Sequence, residues 1–224
     1  MSYDTSKTDY FNISELLSEE HNLIRQSMRE FVLAEISPNI EEWCQNNHFE
    51  KSMVPKFELL KATATGRLYG FEAYKKAINY LAITYANSPE GKQAQNIESN
   101  ILPKLASKDF VQETDSIPNN FKVVFQFIDP QPEAISSFKE TLDEVLGNIR
   151  YYNLDASIDV YNPNTKFVVV HGLKTEQVAK TFNQLLTEED QNKIKAPYFV
   201  VSSTNYQIIQ IHKNLDAYLN IDNN

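Results

Sequence analysis

The chain has 224 residues, 42% of them hydrophobic, and a formal charge of −9 from 21 basic and 30 acidic residues. This length and hydrophobic content suffice for one sizeable core or for two small domains. A net negative charge repels phosphate backbones and anionic lipid headgroups, and the longest basic cluster is only Lys75-Lys76. The composition therefore argues against nucleic acid as a partner.

The cysteine and histidine content argues against a disulfide or a metal site. Cys44 is the single cysteine, and its helical context favours a packing role. The four histidines lie far apart, and none has a second ligand three or four residues away. His212 falls in an apolar stripe, where a hydrogen-bonded packing histidine is the usual explanation. We therefore expect no metal ion and no cofactor.

The start of the chain gives no sign of export or of a membrane anchor. Residues 1–12 are polar and aromatic, without the basic start and apolar run of a signal peptide. No stretch of the sequence approaches the length of a membrane span. As written, the chain is expected to be cytoplasmic, with no direct insertion into a membrane.

The first half of the chain, to about residue 110, has the apolar periodicity of helices. Ser18 and the acidic residues after it are typical of a capped helix start, and Ser37-Pro38 divides this helix from the next. The second helix carries an apolar stripe of Ile40, Trp43 and Cys44. We predict two helical segments, residues 1–60 and 61–117, with the main domain boundary at the end of the second.

Beyond Asn120 the period changes, and short runs rich in valine and phenylalanine predict strands. Four strands are expected at about residues 121–127, 156–160, 167–170 and 198–202, and the middle two should pair as a hairpin. The order strand, helix, strand, strand, helix, strand is the pattern of a ferredoxin-like sandwich. We therefore predict an α+β fold, with a ferredoxin-like βαββαβ domain and a C-terminal helix in residues 118–224.

The C-terminal helix, which we expect Asn205 to cap, is the candidate interaction element. Its apolar stripe consists of Ile208, Ile211, Leu215 and Leu219. Because this stripe is too apolar to be left in water, the helix should either close the domain or bind a partner. We expect it to fold back on its own sheet.

A ferredoxin-like sheet packs one face on its helices and leaves the other open, so glycan binding is a further hypothesis. Tyr151, Tyr152 and Tyr161 are the nearest candidate residues for such an open face. The simpler alternative is that these tyrosines merely flank a hairpin.

No pattern of residues points to catalysis. Ser202, Ser203 and Thr204 offer hydroxyl groups, but they follow a strand and precede a helix. Their expected role is to satisfy free amides at this turn. The acidic pairs, such as Glu19-Glu20, are interpreted as first turns of helices or as solvated faces. We predict no catalytic residue.

The run DYFNISELLSEEHNLIRQSMREFVLAEISPNIEEW, followed by NNHFEKSMVPKF, resembles the amino-terminal helices of acyl-CoA dehydrogenases of the glutaryl-CoA dehydrogenase type. The resemblance covers about residues 9–57. In that family this region is only the first part of a helical domain, while the flavin and the catalytic carboxylate belong to later segments. No flavin-binding or catalytic residue can therefore be placed in this chain.

A different family resemblance begins near residue 60. GRLYGFEAYKKAINYLAITYANSPEGKQAQNI looks like the last helices of a tetratricopeptide array. KFVVVHGLKTEQVAKTFNQLL and YFVVSSTNYQIIQIHKNLDAYL resemble the carboxyl-terminal region of the PorW/SprE tetratricopeptide lipoproteins of type IX secretion and gliding motility. The resemblance covers roughly residues 60–220, and the change of family near residue 58 has no linker.

The second resemblance implies a non-catalytic scaffold whose partners are proteins, among them components of a secretion system. That family is periplasmic and anchored to the outer membrane. One alternative is a fragment of a flavin-dependent acyl-CoA dehydrogenase. The order of strands and helices is also similar to that of murein-binding SPOR modules, which gives the glycan hypothesis its analogy.

Overall fold

The computed structural model describes residues 19–46, 50–111, 120–148, 154–188 and 196–222. The chain divides into two units, Met1–Met53 and Val54–Asn224. The predicted boundary at residue 60 falls inside a continuous helix, Met53–Tyr69. The other predicted boundary, between residues 117 and 118, lies outside the described residues.

The first unit contains helix α1 (Glu19–Phe31), which continues as a π-helical turn (Val32–Ile36), and helix α2 (Ile40–Gln45). Neither α2 nor the π-helical turn contains a buried residue. Ile40 is 45% exposed and Cys44 is exposed. The expected packing role of Cys44 is therefore wrong.

A helical part follows, whose first helix begins at the last residue of the first unit and whose other residues belong to the second unit. It consists of α3 (Met53–Tyr69), α4 (Phe71–Thr84), α5 (Pro89–Asn96), a π-helical turn (Ile97–Ile101) and α6 (Leu102–Leu105). Ser88 caps α5, because its hydroxyl oxygen accepts the Gly91 N–H at 2.9 Å. A Cβ atom at Gly91 would lie 1.9 Å from the Tyr85 carbonyl oxygen. Glycine thus permits the close approach of α5 to the end of α4. The buried core of this part consists of Ala62, Phe71, Ile78, Leu81, Ala82, Ala94, Ile97 and Leu102.

A four-stranded antiparallel sheet follows, so the predicted α+β class is confirmed. Its strands are β1 (Phe121–Ile128), β2 (Asp155–Asn162), β3 (Thr165–Leu173) and β4 (Tyr198–Ser202), in the order β2-β3-β1-β4. Helix α7 (Pro132–Asn148) connects β1 to β2, and α8 (Glu176–Glu188) connects β3 to β4. The predicted hairpin of the middle two strands is confirmed by the pairing of β2 with β3.

Alternate residues of a strand point to opposite faces of the sheet, and here both faces are apolar. Each face is covered by helices. The first face packs on α7 and α8 and contributes Phe121, Val123, Phe125, Val168, Val170 and Val200 to a core that also contains Leu142 and Phe182. The second face contributes Val124, Phe167, Val169, Phe199 and Val201 to another core. Two terminal helices, α9 (Ser203–His212) and α10 (Leu215–Asp222), close this second core.

The cap of the terminal helix differs from the predicted one. Ser202, the last residue of β4, accepts the Asn205 N–H at 3.2 Å and is the N-cap of α9. Asn205 is therefore a buried residue of the first turn and does not cap the helix. The helix also ends at Lys213, whose φ of 54° is left-handed, and a second helix begins at Leu215. The single terminal helix expected from the sequence is thus two helices.

Candidate functional site

The predicted interaction stripe divides between two cores. Leu215, which is 3% exposed, and Leu219 pack on the second face of the sheet. Ile211 instead packs against the helical core around Phe71. Ile208 is half-buried and lies outside the buried clusters of the described residues. The fold thus covers most of this stripe with its own chain.

His212 lies at the end of the same helix. Its ring packs against that of Phe71, with 5.2 Å between the ring centroids. Both ring nitrogens are buried, and neither has a hydrogen-bond partner in the part of the chain that the structure describes. The packing role expected for His212 is confirmed, but the expected hydrogen bond is not found there.

Tyr161 lies on the second face of the sheet and is only 7% exposed. Its ring stacks on Phe167 at 4.8 Å, and its hydroxyl oxygen accepts the Leu215 N–H at 3.1 Å. The expectation that Tyr161 lies on an open face is wrong, because α9 and α10 cover that face. Tyr151 and Tyr152, the other open-face candidates, lie outside the described residues.

A chain of polar side chains crosses the second face beside this core. Lys122 Nζ on β1 lies 2.8 Å from His171 Nδ1 on β3, and His171 Nε2 lies 2.8 Å from Ser157 Oγ on β2. Ser157 Oγ donates to Asp159 Oδ1 at 2.8 Å. The Tyr206 hydroxyl on α9 donates to Asp159 Oδ2 at 2.6 Å. We call these five residues the polar chain.

The hydrogen positions in the polar chain follow from the chemistry of its members. A lysine ammonium group can only donate, so His171 Nδ1 accepts from Lys122 and Nε2 carries the ring proton. Nε2–H then donates to Ser157 Oγ, because the single hydroxyl hydrogen of Ser157 is given to Asp159. In this arrangement His171 is not a base for the Ser157 hydroxyl, which a serine nucleophile would require. The geometry fits a structural network.

The pKa shifts agree with this assignment. Burial, together with the neighbouring Lys122, lowers the pKa of His171, which favours the neutral imidazole. Burial also lowers the pKa of Lys122, while Asp159 and Asp155 oppose that shift. Burial and the nearby Asp159 raise the pKa of Tyr206, so its phenol stays protonated and donates. At the end of α9, burial lowers the pKa of Lys213 to about 8.

A groove lies at the other side of the sheet, beside β4. Asn205 accepts the Val111 N–H at 2.9 Å and donates to the Val111 carbonyl oxygen at 3.0 Å, which fixes the segment before β1 against α9. Between this segment, β4 and α10 is a cavity of about 560 Å³. Its lining includes Asp109, Phe110, Val111, Val200, Tyr218 and Ile221. We call this cavity the α10 groove.

Both apolar and charged side chains line the α10 groove. Val111 and Ile221 are 46% and 61% exposed. Of the charged lining residues, Lys108 pairs with Glu72 at 3.4 Å, and Glu176 pairs with Lys180. The Asp109 carboxylate has no ion pair within the described residues. The groove thus offers apolar contacts next to one uncompensated negative charge.

Sequence reasoning missed both features. No local pattern in the sequence marks Lys122, Ser157, Asp159 or His171 as members of one hydrogen-bonded group. Alternation along each strand indicates which residues share a face, but their contact depends on the strand register. Asn205 has the sequence context of a helix cap, whereas its hydrogen bonds to Val111, which lies 94 residues away in the chain, leave no local signal.

The structure gives no sign of a metal centre or of a membrane span in the part that it describes. Among those residues, no three histidine, cysteine or acidic side chains lie close enough together to hold a metal ion. No described helix has both the length and the apolarity that crossing a membrane requires.

Comparison with known proteins gives one match. A family model described as "Acyl-CoA dehydrogenase, N-terminal domain" matches residues 18–66, which is less than a quarter of the chain. No curated protein and no solved structure matches the sequence. None of these comparisons supports the resemblance to PorW/SprE lipoproteins. Residues 18–66 are thus similar to the N-terminal domain of acyl-CoA dehydrogenases.

Proposed function

We propose that the chain is a non-catalytic protein-interaction module. In this proposal a tetratricopeptide-like helical part and a ferredoxin-like domain form a scaffold similar to the end of a type IX secretion and gliding-motility lipoprotein. The partners would be proteins, including secretion-system components. The α10 groove is the observation that carries the proposal.

The groove favours a protein segment that presents an apolar side chain next to a cationic one. The apolar side chain would cover Val111 and Ile221, and burying a leucine-sized group stabilises a complex by about 1.5–3 kcal/mol. The cation would lie beside Asp109, which has no ion pair among the described residues. Because Asn205 already fixes the segment at Val111, little ordering of this wall is required on binding.

The polar chain supports a non-catalytic role. Every member of it already has a hydrogen-bond partner, and the serine proton points to a carboxylate. Five buried or half-buried polar groups joined in this way specify strand register and helix docking. The arrangement lacks a free nucleophile next to a free base.

Site-specific photo-crosslinking tests the proposal. A photoreactive residue at position 221 should give a discrete adduct with another protein in cells. The same residue at position 128, which replaces the equally apolar and 70% exposed Ile128, is the matched control. Adducts of equal intensity at both positions, or none at 221, would refute the groove as the interaction site.

The match over residues 18–66 favours a second candidate, a fragment of a flavin-dependent acyl-CoA dehydrogenase. The first unit leaves Met28, Leu33 and Ile40 between 44% and 48% exposed, as expected for helices that belong to a larger helical domain. A flavin absorbance spectrum separates the two candidates. Purified protein that is yellow and bleaches with an acyl-CoA would favour the dehydrogenase fragment over the scaffold.

Glycan binding by a SPOR-like module is the weakest candidate. It depended on exposed tyrosines on an open sheet face. Tyr161 is buried beneath α10, and nothing in the described part of the chain replaces it as an exposed aromatic on that face. A pull-down with purified murein tests this candidate, and binding of the full chain would revive it.

A further inference from the structure

The hydrogen bonds of the sheet show which main-chain groups of β2 point away from it. Gln126 N–H donates to Pro197 O at 3.0 Å, and Ser203 N–H donates to Asn120 O at 2.8 Å. Residue pairs in an antiparallel ladder alternate between hydrogen-bonded and non-hydrogen-bonded. The main-chain N–H and C=O groups of the even-numbered residues of β1 therefore point toward β4, and those of the odd-numbered residues point toward β3. The bond from Asp129 N–H to Asn164 O, at 2.6 Å, fits the same alternation.

The alternation carries through β3 to β2. On β3, the main-chain groups of residues 166, 168 and 170 point toward β1. The main-chain groups of residues 167, 169 and 171 therefore point toward β2, where they bond to residues 159, 157 and 155 respectively. The remaining residues of β2 therefore direct their N–H and C=O groups away from the sheet. These outward residues are Ala156, Ile158 and Val160. Within the described chain, their main-chain groups have no hydrogen-bond partner.

The two edges of the sheet differ in how they are protected. At the β4 edge, the outward carbonyl of Val200 accepts a hydrogen bond from the Tyr218 hydroxyl at 3.0 Å, and the strand has only 5 residues. At the β2 edge, the strand has 8 residues, and its outward groups are uncapped by any described side chain. A long edge with unpaired main-chain groups is a template for another strand.

The side chains along the β2 edge indicate which strand would fit. On the first face, Ala156 and Ile158 lie at the border of the apolar core under α7. On the second face, Asp155 is exposed, and its carboxylate has neither a hydrogen bond nor an ion pair within the described residues. Asp159 on this face is already bound by Ser157 and Tyr206. The edge is thus apolar on one face and negative on the other.

We propose that the β2 edge binds an extended segment of a partner protein as a fifth strand. The segment alternates apolar residues, which extend the core beside Ile158, with a lysine or arginine opposite or diagonal to Asp155. A second copy of this chain fits less well, since two antiparallel β2 strands would bring two Asp155-bearing edges of chains with a charge of −9 together. This inference goes beyond the proposed function, because it concerns a different surface from the α10 groove.

A peptide of about eight residues, in which valine alternates with lysine, serves as the probe. Its binding to the full chain is measured by fluorescence anisotropy. Asp155→Lys should weaken it about fivefold to tenfold, because an opposite-charge pair becomes a like-charge pair. Methylation of alternate peptide nitrogens on the bonding side should abolish binding. Asp109→Lys, in the α10 groove, should leave the affinity unchanged and so separates this edge from that groove.

Ile158→Pro provides a second variant, since proline removes an outward N–H that bonds to no described residue. It should prevent peptide binding while leaving the thermal transition in place, and Ile158→Val is its matched control. Equal binding of the methylated and unmethylated peptides would overturn the proposal. So would unchanged affinity in Asp155→Lys. A dimer in sedimentation that Ile158→Pro dissolves would also overturn it, in favour of a second copy.

Discussion

Replacing Tyr206 with phenylalanine tests the polar chain, because it removes one oxygen and leaves the buried ring in place. The Tyr206 hydroxyl donates to Asp159 Oδ2 at 2.6 Å and accepts from Gln210 Nε2 at 2.9 Å. A hydrogen bond to a charged group contributes about 1.5–3 kcal/mol, while the half-buried Gln210 can bond to water instead. We therefore expect Tyr206→Phe to lower the free energy of unfolding by about 2 kcal/mol.

Urea unfolding of the full chain, followed by circular dichroism, measures this loss. Tyr69→Phe is the control, because Tyr69 is 60% exposed and its hydroxyl makes no hydrogen bond with a described residue. Its effect should stay within about 0.5 kcal/mol. The double variant with Asp159→Asn should show a coupling energy of about 1 kcal/mol. If Tyr206→Phe costs no more than Tyr69→Phe, the polar chain does not stabilise the fold.

Three further predictions test other features of the second unit. The pKa of His171 is lowered in the folded state, so its contribution to stability is present above pH 6.5 and is lost as the pH falls through the folded-state pKa. In urea unfolding, His171→Gln should therefore reduce the fall of the free energy of unfolding at acid pH. Burial lowers the pKa of Lys213 to about 8, so between pH 8 and pH 10.5 the unfolded chain binds this proton more tightly and the free energy of unfolding rises with pH. Lys213→Met should raise the free energy of unfolding at pH 7 and reduce its rise between these pH values. Gly91→Ala should cost about 2–3 kcal/mol in thermal unfolding, because its Cβ would meet the Tyr85 carbonyl, whereas Gly147→Ala has nothing within 4 Å and should stabilise by roughly 0.5–1 kcal/mol.

A specific result would refute each of these three predictions. An acid slope that is the same in His171→Gln and the parent protein would mean that His171 titrates as it does in the unfolded chain. A loss of stability at pH 7 in Lys213→Met would mean that the bond from Lys213 Nζ to Gln210 outweighs its desolvation. Equal effects of Gly91→Ala and Gly147→Ala would show that α5 moves away from α4 at little cost.

The sequence was sufficient for the elements whose signals are local. Short apolar runs rich in valine and phenylalanine predicted the strands, and three-to-four spacing predicted α7 and α8. The hairpin of β2 and β3 followed from the turn at residues 162–164. The role of Ser202 at the strand-to-helix turn also follows from its position, since its hydroxyl reaches an amide only three residues away. These inferences need no knowledge of distant contacts.

The features that the sequence did not predict depend on contacts between residues far apart in the chain. The pairing of Lys122 with His171 requires the register of β1 on β3, which no local pattern specifies. Asn205 looks like a cap because asparagine is favoured there, yet its side chain bonds to Val111 instead. Burial of Tyr161 depends on where α10 docks after the left-handed residue Lys213. The apolar stripe predicted on α2 does not form a buried face, because α2 contains no buried residue.

Helix α9 lies between the helical part and the sheet of the second unit. Ile209 is buried in the core of the sheet's second face, while Ile211 and His212 contact the helical core at Phe71. Both of those parts precede α9 in the chain. During synthesis, the core on the second face of the sheet therefore stays open until α9 and α10 have left the ribosome. The contacts of Ile211 and His212 with the helical core likewise form only after residue 212 has been added, so a chain that stops before these residues lacks both.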